Sequence, residues 1–289
     1  MKKHTSLFLF LLFTYTHLFS QDSSDPFDKY GPPGEVYATL KDALKNKNQA
    51  YKVKIDYQPI EAKHLSKLGK LTKTEVLQLT ENGITKLPTE LKELQNLIYF
   101  SCIGNPITTL PPEIGYLTGL VDLQLHSAKL DSLPSEIRSL SRLRTLAIQN
   151  NKADTFHFPN SIGHLVNLTN IVLYNTRIDT LPASFKELKK LKNLTIVMCG
   201  MKTVPKVIGK INSLESLVLD KNQLTDIPKS IYQLKNLKTL SLNGNKLTEI
   251  SDFISMLKTL EVLDLRNNYL KRYDIEVIKS LLPKCNVIF

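Results

Sequence analysis

The stretch Leu77-Gln78-Leu79-Thr80-Glu81-Asn82-Gly83-Ile84-Thr85-Lys86-Leu87-Pro88-Thr89-Glu90-Leu91-Lys92-Glu93-Leu94 decides the reading of the whole chain. It opens with alternating apolar and polar residues, the period-2 mark of a short strand. Asn82 ends the alternation. Its amide both donates and accepts, so it can bond the backbone groups left unpaired where the chain turns out of the strand. Leu87-Pro88 follows, and proline suits the start of a short helical turn because its missing N–H costs nothing there. Leu91 and Leu94 then face inward from that turn.

The unit repeats. Leu77-x-Leu79-x-x-Asn82-x-Ile84 returns as Phe100-x-Cys102-x-x-Asn105-x-Ile107, and the Asn place recurs at Asn151, Asn222, Asn245 and Asn268. Ala128, Thr176 and Cys199 hold that place in the copies between. The spacing is 23 residues except for one step of 25, and the excess lies in Ala153–Phe158. A second marker keeps the same period: Leu87-Pro88, Leu110-Pro111, Leu133-Pro134, Phe158-Pro159, Leu181-Pro182, Val204-Pro205 and Ile227-Pro228, with Ser251 in the proline place of the next copy. A degenerate copy, Val53-x-Ile55-x-x-Gln58-x-Ile60, precedes the first clear one.

These two locked markers resemble the leucine-rich-repeat family in its 23-residue form with Leu-Pro-x-x-Ile-x-x-Leu. The resemblance implies an α/β solenoid: a right-handed horseshoe with a concave parallel β-sheet and short helical segments on the convex side. One copy cannot bury enough surface to fold alone, so copies stack and pair their strands. Intracellular signalling scaffolds of this repeat type, including Ras-binding ones, look similar. Many secreted eukaryotic relatives have cysteine-bonded caps, which this chain lacks, and that points to a bacterial envelope.

The remaining segments fall outside the period. Residues 1–20 run from basic (Lys2, Lys3) through an apolar stretch (Leu7–Phe13) to Ser20, the order of a secretory signal peptide. Export to the periplasm or the extracellular space is therefore expected. No second long apolar run follows, so the processed chain is expected to be soluble and without a membrane span. Residues 21–34 hold tandem prolines and several acids and read as a flexible leader. Residues 35–52 show helical spacing and read as an N-terminal cap. About nine repeats then occupy 53–270, and 271–289 reads as a closing cap with a helix and a final strand.

The full chain carries a formal charge of +11 over 289 residues, and +9 once Lys2 and Lys3 depart. Its lysines are interleaved with glutamates, as in Phe185-Lys186-Glu187-Leu188-Lys189-Lys190, which is the pattern of a solvated face rather than a nucleic-acid or lipid site. Cys102 and Cys199 stand four repeats apart, about 20 Å at ~4.8 Å per strand, beyond disulfide reach. All three cysteines, Cys285 included, are expected to be reduced and buried.

No catalytic or metal constellation is found. The histidines do not pair with cysteines or carboxylates at ligand spacing, and no glycine-rich phosphate loop occurs, so neither enzyme chemistry nor a cofactor is expected. What remains is a surface. Residues flanking the two core positions of each strand face the concave side. At its centre Tyr99, Ile103, Val172, Tyr174 and Val197 supply apolar and aromatic area, with His126 and Gln149 adding hydrogen-bonding groups. An apolar centre within a polar rim is the anatomy of a protein interface, and His126, left unperturbed, would titrate near neutrality. A monomer binding a protein partner on these residues is expected. A carbohydrate-binding or adhesive surface, with Tyr99 and Tyr174 as stacking platforms, is the alternative.

Overall fold

A computed structural model describes residues 25–150 and 154–289. The expected signal segment, 1–20, and residues 21–24 lie outside the described residues. So does Asn151.

Twelve described strands form one open parallel sheet in strict sequence order. They are β1 (Val36–Tyr37), β2 (Lys52–Asp56), β3 (Val76–Thr80), β4 (Tyr99–Ile103), β5 (Asp122–Ala128), β6 (Thr145–Asn150), β7 (Asn170–Tyr174), β8 (Asn193–Val197), β9 (Ser216–Val218), β10 (Thr239–Ser241), β11 (Val262–Asp264) and β12 (Asn286–Ile288). Equivalent residues of successive copies pair, Leu77 with Phe100 and Phe100 with Leu123, so the ladder register is the sequence period. One irregularity interrupts it, between β5 and β6 at Leu125 to Ala128.

The return segments are single 3-10 turns, such as Thr89–Glu93 and Pro112–Tyr116. Pro88, Pro111, Pro134, Pro159 and Pro182 each sit one residue before the turn in extended conformation, and their carbonyls accept the first turn bond, as in Leu91 N–H to Pro88 O at 3.1 Å. Where Ser251 replaces proline, its carbonyl accepts from Ile254 and its hydroxyl from Phe253 N–H. Between strands and turns lies one continuous core of leucines and isoleucines. The two extra residues of the long copy bring in Phe156, which is buried edge-on against Phe158 at 5.0 Å; Phe158 in turn meets Phe185 at 5.2 Å.

The Asn row is an interlocking device. Asn105 Oδ1 accepts from the backbone N–H of Asn82 (2.9 Å) and Ile84 (3.0 Å) in the copy before. Its Nδ2 donates to Leu79 O and Ile103 O, both at 3.0 Å. Asn222 repeats the pattern on Cys199, Met201 and Ile196. Substitutes do part of this work. Thr176 Oγ1 accepts from Asn150 N–H, and Cys199 Sγ reaches Leu173 O and Val197 O. The residue before the Asn place adopts a left-handed backbone in most copies. Gly104 and Gly244 suit it, whereas Glu81, Asn175, Met198, Lys221 and Asn267 hold it as non-glycines.

The two ends differ from expectation. The N-terminal cap is not helical throughout 35–52: β1 adds a strand to the sheet by pairing Val36 with Lys52, and a helix, Leu40–Lys45, follows behind Thr39, whose hydroxyl caps it. The flexible leader is also corrected. From Asp25 on, the chain is packed: Asp25 caps a four-residue helix α1 (Pro26–Lys29), and Phe27 is buried against the sheet. The physical reason is that Phe27 and Tyr30, spaced one helical turn apart, offer an apolar face that a solvated leader would waste. At the C-terminal end lie a ten-residue helix (Arg272–Leu281) and β12. Cys102 and Cys199 are buried free thiols, but Cys285 is only half-buried, because it lies in the turn between that helix and β12 rather than in the core.

Candidate functional site

The concave positions fall where strand alternation puts them. Ile103 and His126 are register partners on β4 and β5. Gln149, Tyr174 and Val197 are register partners across β6, β7 and β8. The β5–β6 irregularity separates the two groups. Val172 lies two residues before Tyr174 on β7. Tyr99 is four residues before Ile103 on β4, about 13 Å along the strand at ~3.3 Å per residue. So the structure gathers Tyr174 and Val197 in one cluster with Val218, sets Gln149 and Val172 beside them, leaves Ile103 and His126 across the irregularity, and places Tyr99 at the far end of β4.

That neighbourhood is not an open apolar patch. Tyr174, Val197 and Val218 bury against one another in a cluster separate from the main core, at 4%, 0% and 1% exposure. Val172, Gln149 and His126 are buried as well, and Ile103 is half-buried. Beside this floor stand half-buried amides and hydroxyls: Gln124, Thr145, Asn170 and Asn193. Asn193 Nδ2 donates to Asn170 Oδ1 at 2.6 Å, tying β7 to β8 on the concave side.

The electrostatics are those of a low-dielectric surface. Burial drives the His126 imidazole down to about 4, so it does not titrate near neutrality as its sequence context suggested. Its Nε2 is buried with no hydrogen-bond partner. Burial pushes the Asp122 carboxyl up to about 6, against the opposing pull of Gln124 and the Lys29 charge. Further along, Asp220 Oδ1 accepts from Ser241 Oγ (2.6 Å) and Asn243 N–H (3.1 Å), and Asp264 takes Arg266 at 2.5 Å. This self-satisfied acidic end escaped sequence reasoning, although Asp220 and Asp264 lie on the concave columns. Among the described residues, no three His, Cys, Asp or Glu side chains are arranged to hold a metal ion, and no helix is long and apolar enough to cross a membrane.

Tyr99 belongs to a second feature. It is 2% exposed because the chain's own N-terminal segment covers it. Phe27 packs against Val76 and Tyr99, Tyr30 stacks over Tyr99 with ring centroids 6.0 Å apart, and Lys54 lies 5.4 Å from the Phe27 ring.

This architecture matches known proteins. The family described as a leucine-rich repeat region matches residues 54–158 and 135–243, and a single leucine-rich repeat matches 236–257. The chain belongs to the leucine-rich-repeat family. Among solved structures it is similar to an internalin (inlF) of Listeria monocytogenes, with TM-score 0.71 and 21% identity, covering 87% of this chain and 70% of that one. It is also similar to TLR13 in a complex with ssRNA13, with TM-score 0.69 and 23% identity, covering 85% of this chain and 37% of that one. These likenesses show the fold. No curated protein matches the sequence.

Proposed function

We propose that the chain is a non-catalytic recognition module, exported through residues 1–20 to the periplasm or the extracellular space, that binds a protein partner on its concave face. The observation that carries this reading is the Tyr174–Val197–Val218 cluster: apolar side chains gathered on the side of the sheet away from the core, with hydrogen-bonding amides beside them. Ile103, His126, Gln149, Val172, Tyr174 and Val197 form the packed floor on which the contact rests, and half-buried Ile103 is the part of it that a partner touches. Asn170, Asn193 and Gln124 form its readable edge.

Charge favours protein over nucleic acid. The TLR13 structure holds an RNA, but phosphate backbones need rows of cations. The concave columns here carry Asp56, Asp122, Asp220 and Asp264 against Lys52, Lys54 and Arg266, and Arg266 is already paired with Asp264. The glycan alternative loses its support, because Tyr99 and Tyr174 are 2% and 4% exposed and offer no bare ring face for a sugar. The test is photo-crosslinking from position 103 in extracts of the source cells. A discrete adduct should form, vanish in Asn170→Arg/Asn193→Arg, and persist in the convex control Lys235→Glu. An adduct indifferent to the concave pair, or none at all, overturns the reading.

A further inference from the structure

The segment over β2 to β5 occupies a site that has the features of a receptor surface. Phe27 inserts between Val76 and Tyr99, and Tyr30 stacks on Tyr99. The Lys52 ammonium, on a residue only 5% exposed, donates to the carbonyl oxygen of Phe27. Lys54 covers the Phe27 ring, and the charge of Lys29 acts on the buried carboxyl of Asp122. The chain then leaves through Gly31-Pro32-Pro33-Gly34. Gly31 adopts a left-handed φ of +72°, and a side chain there would come within 3.5 Å of Lys52 Cε and Glu75 Oε2.

Two properties set this segment apart from a cap. The helix has four residues, and its apolar anchors on the sheet are two rings on a short tether, outside the repeating core. Lifting it would strip three kinds of partner at once: apolar cover from Val76 and Tyr99, an acceptor from the buried Lys52, and a nearby cation from Asp122. A surface presenting an aromatic slot, a buried donor and a buried carboxylate in that order fits a peptide with a ring, a free carbonyl and a following basic residue, which is the chemistry of Phe27-Asp28-Lys29-Tyr30.

We propose that the concave face over β2 to β5 is a peptide-binding site whose resident occupant is the chain's own Phe27–Tyr30 segment, and that a partner segment with an aromatic and a basic residue gains it by displacing that occupant. This rests on reading the concave face as the recognition surface. A tethered occupant competes at an effective concentration of about millimolar for a short linker, so the resting chain should resist weak ligands in trans.

The probe is a fluorescein-labelled synthetic peptide of residues 25–34, titrated by anisotropy into the full chain and into the full-length double variant Phe27→Ser/Tyr30→Ser. The double variant should bind the peptide at least about tenfold more tightly than the unaltered chain, because cis competition is gone. Adding Tyr99→Ala should abolish the gain. Equal affinity in both chains, or binding that survives Tyr99→Ala, overturns the proposal. So does a double variant that loses its cooperative melt, because the segment would then be a structural cap. Peptide capture with no adduct from position 103 would sink only the central-floor reading; the reverse result would sink only this one.

Discussion

A Cβ added to Gly115 would lie 2.8 Å from the carbonyl oxygen of Glu136, in the next convex turn. The same approach recurs at Gly69 with Glu90, Gly163 with Ser184 and Gly209 with Ser230. These glycines fall 46, 48 and 46 residues apart, so the 23-residue unit is itself organised in pairs. Alternate turns press backbone to backbone, and the turn between them carries Lys92, Arg138 or Lys186 at the glycine position. Gly115→Ala should therefore destabilise the chain by about 1–3 kcal/mol, the usual range for forced overpacking. Gly34→Ala is the control, since nothing lies within 4 Å of its added carbon. Urea midpoints compare the two; equal midpoints would mean that the convex turns yield freely.

The Asn row predicts a graded series. Asn222 satisfies two backbone N–H groups and donates to Ile196 O, Leu219 O and Asp220 O. Asn82 Oδ1 is buried without a partner, although its Nδ2 reaches Gln58 O. Each buried group left unpaired costs about 1–3 kcal/mol. Asn222→Ala should thus lower stability by at least about 2 kcal/mol, and Asn82→Ala by clearly less. Chemical denaturation of both variants checks the order, and a reversed order contradicts the bonding scheme.

Asp122 and His126 should oppose each other in acid. The Asp122 carboxyl is raised to about 6 from an unfolded value of about 3.9, so it takes up a proton on folding and its contribution to stability falls as pH rises from about 4 to 6. The His126 imidazole is lowered to about 4 from about 6.5, so its contribution falls as pH drops across nearly the same window. The two slopes largely cancel in the unaltered chain. Asp122→Asn should lose stability, relative to that chain, between pH 6 and 4. His126→Gln should gain it, each change being on the order of 2 kcal/mol. Melting curves at the two pH values read both, and parallel shifts in the variants would refute the assignment.

The thiols should separate by position. Burial pushes both Cys102 and Cys199 up to about 12, and both are enclosed in the core. Cys285 is half-buried in the turn before β12. A thiolate is the reactive form, so an alkylating reagent should mark Cys285 in the native chain and the other two only after unfolding. Mass spectrometry of timed samples would reveal any early labelling of Cys102 or Cys199.

The solenoid was legible because its rule is local and repeated. Leu77, Asn82 and Pro88 each have a fixed physical task, and the same tasks return in most copies. Gly115 was equally visible, but its meaning emerges only when two neighbouring turns are seen touching. The covering of Tyr99 was not legible from the period, since Phe27 and Tyr30 stand outside it; the available hint was Asp25-Pro26, a helix-start signal before two aromatics one turn apart. For the central floor, the apolar character of Tyr174 and Val197 was readable, but their mutual burial with Val218 was not, because it depends on which residues become neighbours across strands. The perturbation of His126 was hidden for the same reason.

The side-chain amides of Asn105, Asn222, Asn245 and Asn268 hold backbone N–H groups of the copy before them. This gives the molecule a mechanical polarity. Peeling a copy from the C-terminal end strips acceptors from the turn it leaves behind. Peeling from the N-terminal end leaves only an amide side chain to be rewetted. A chain pulled from its two ends under force should therefore resist with different strength at each, like a ratchet cut in one direction.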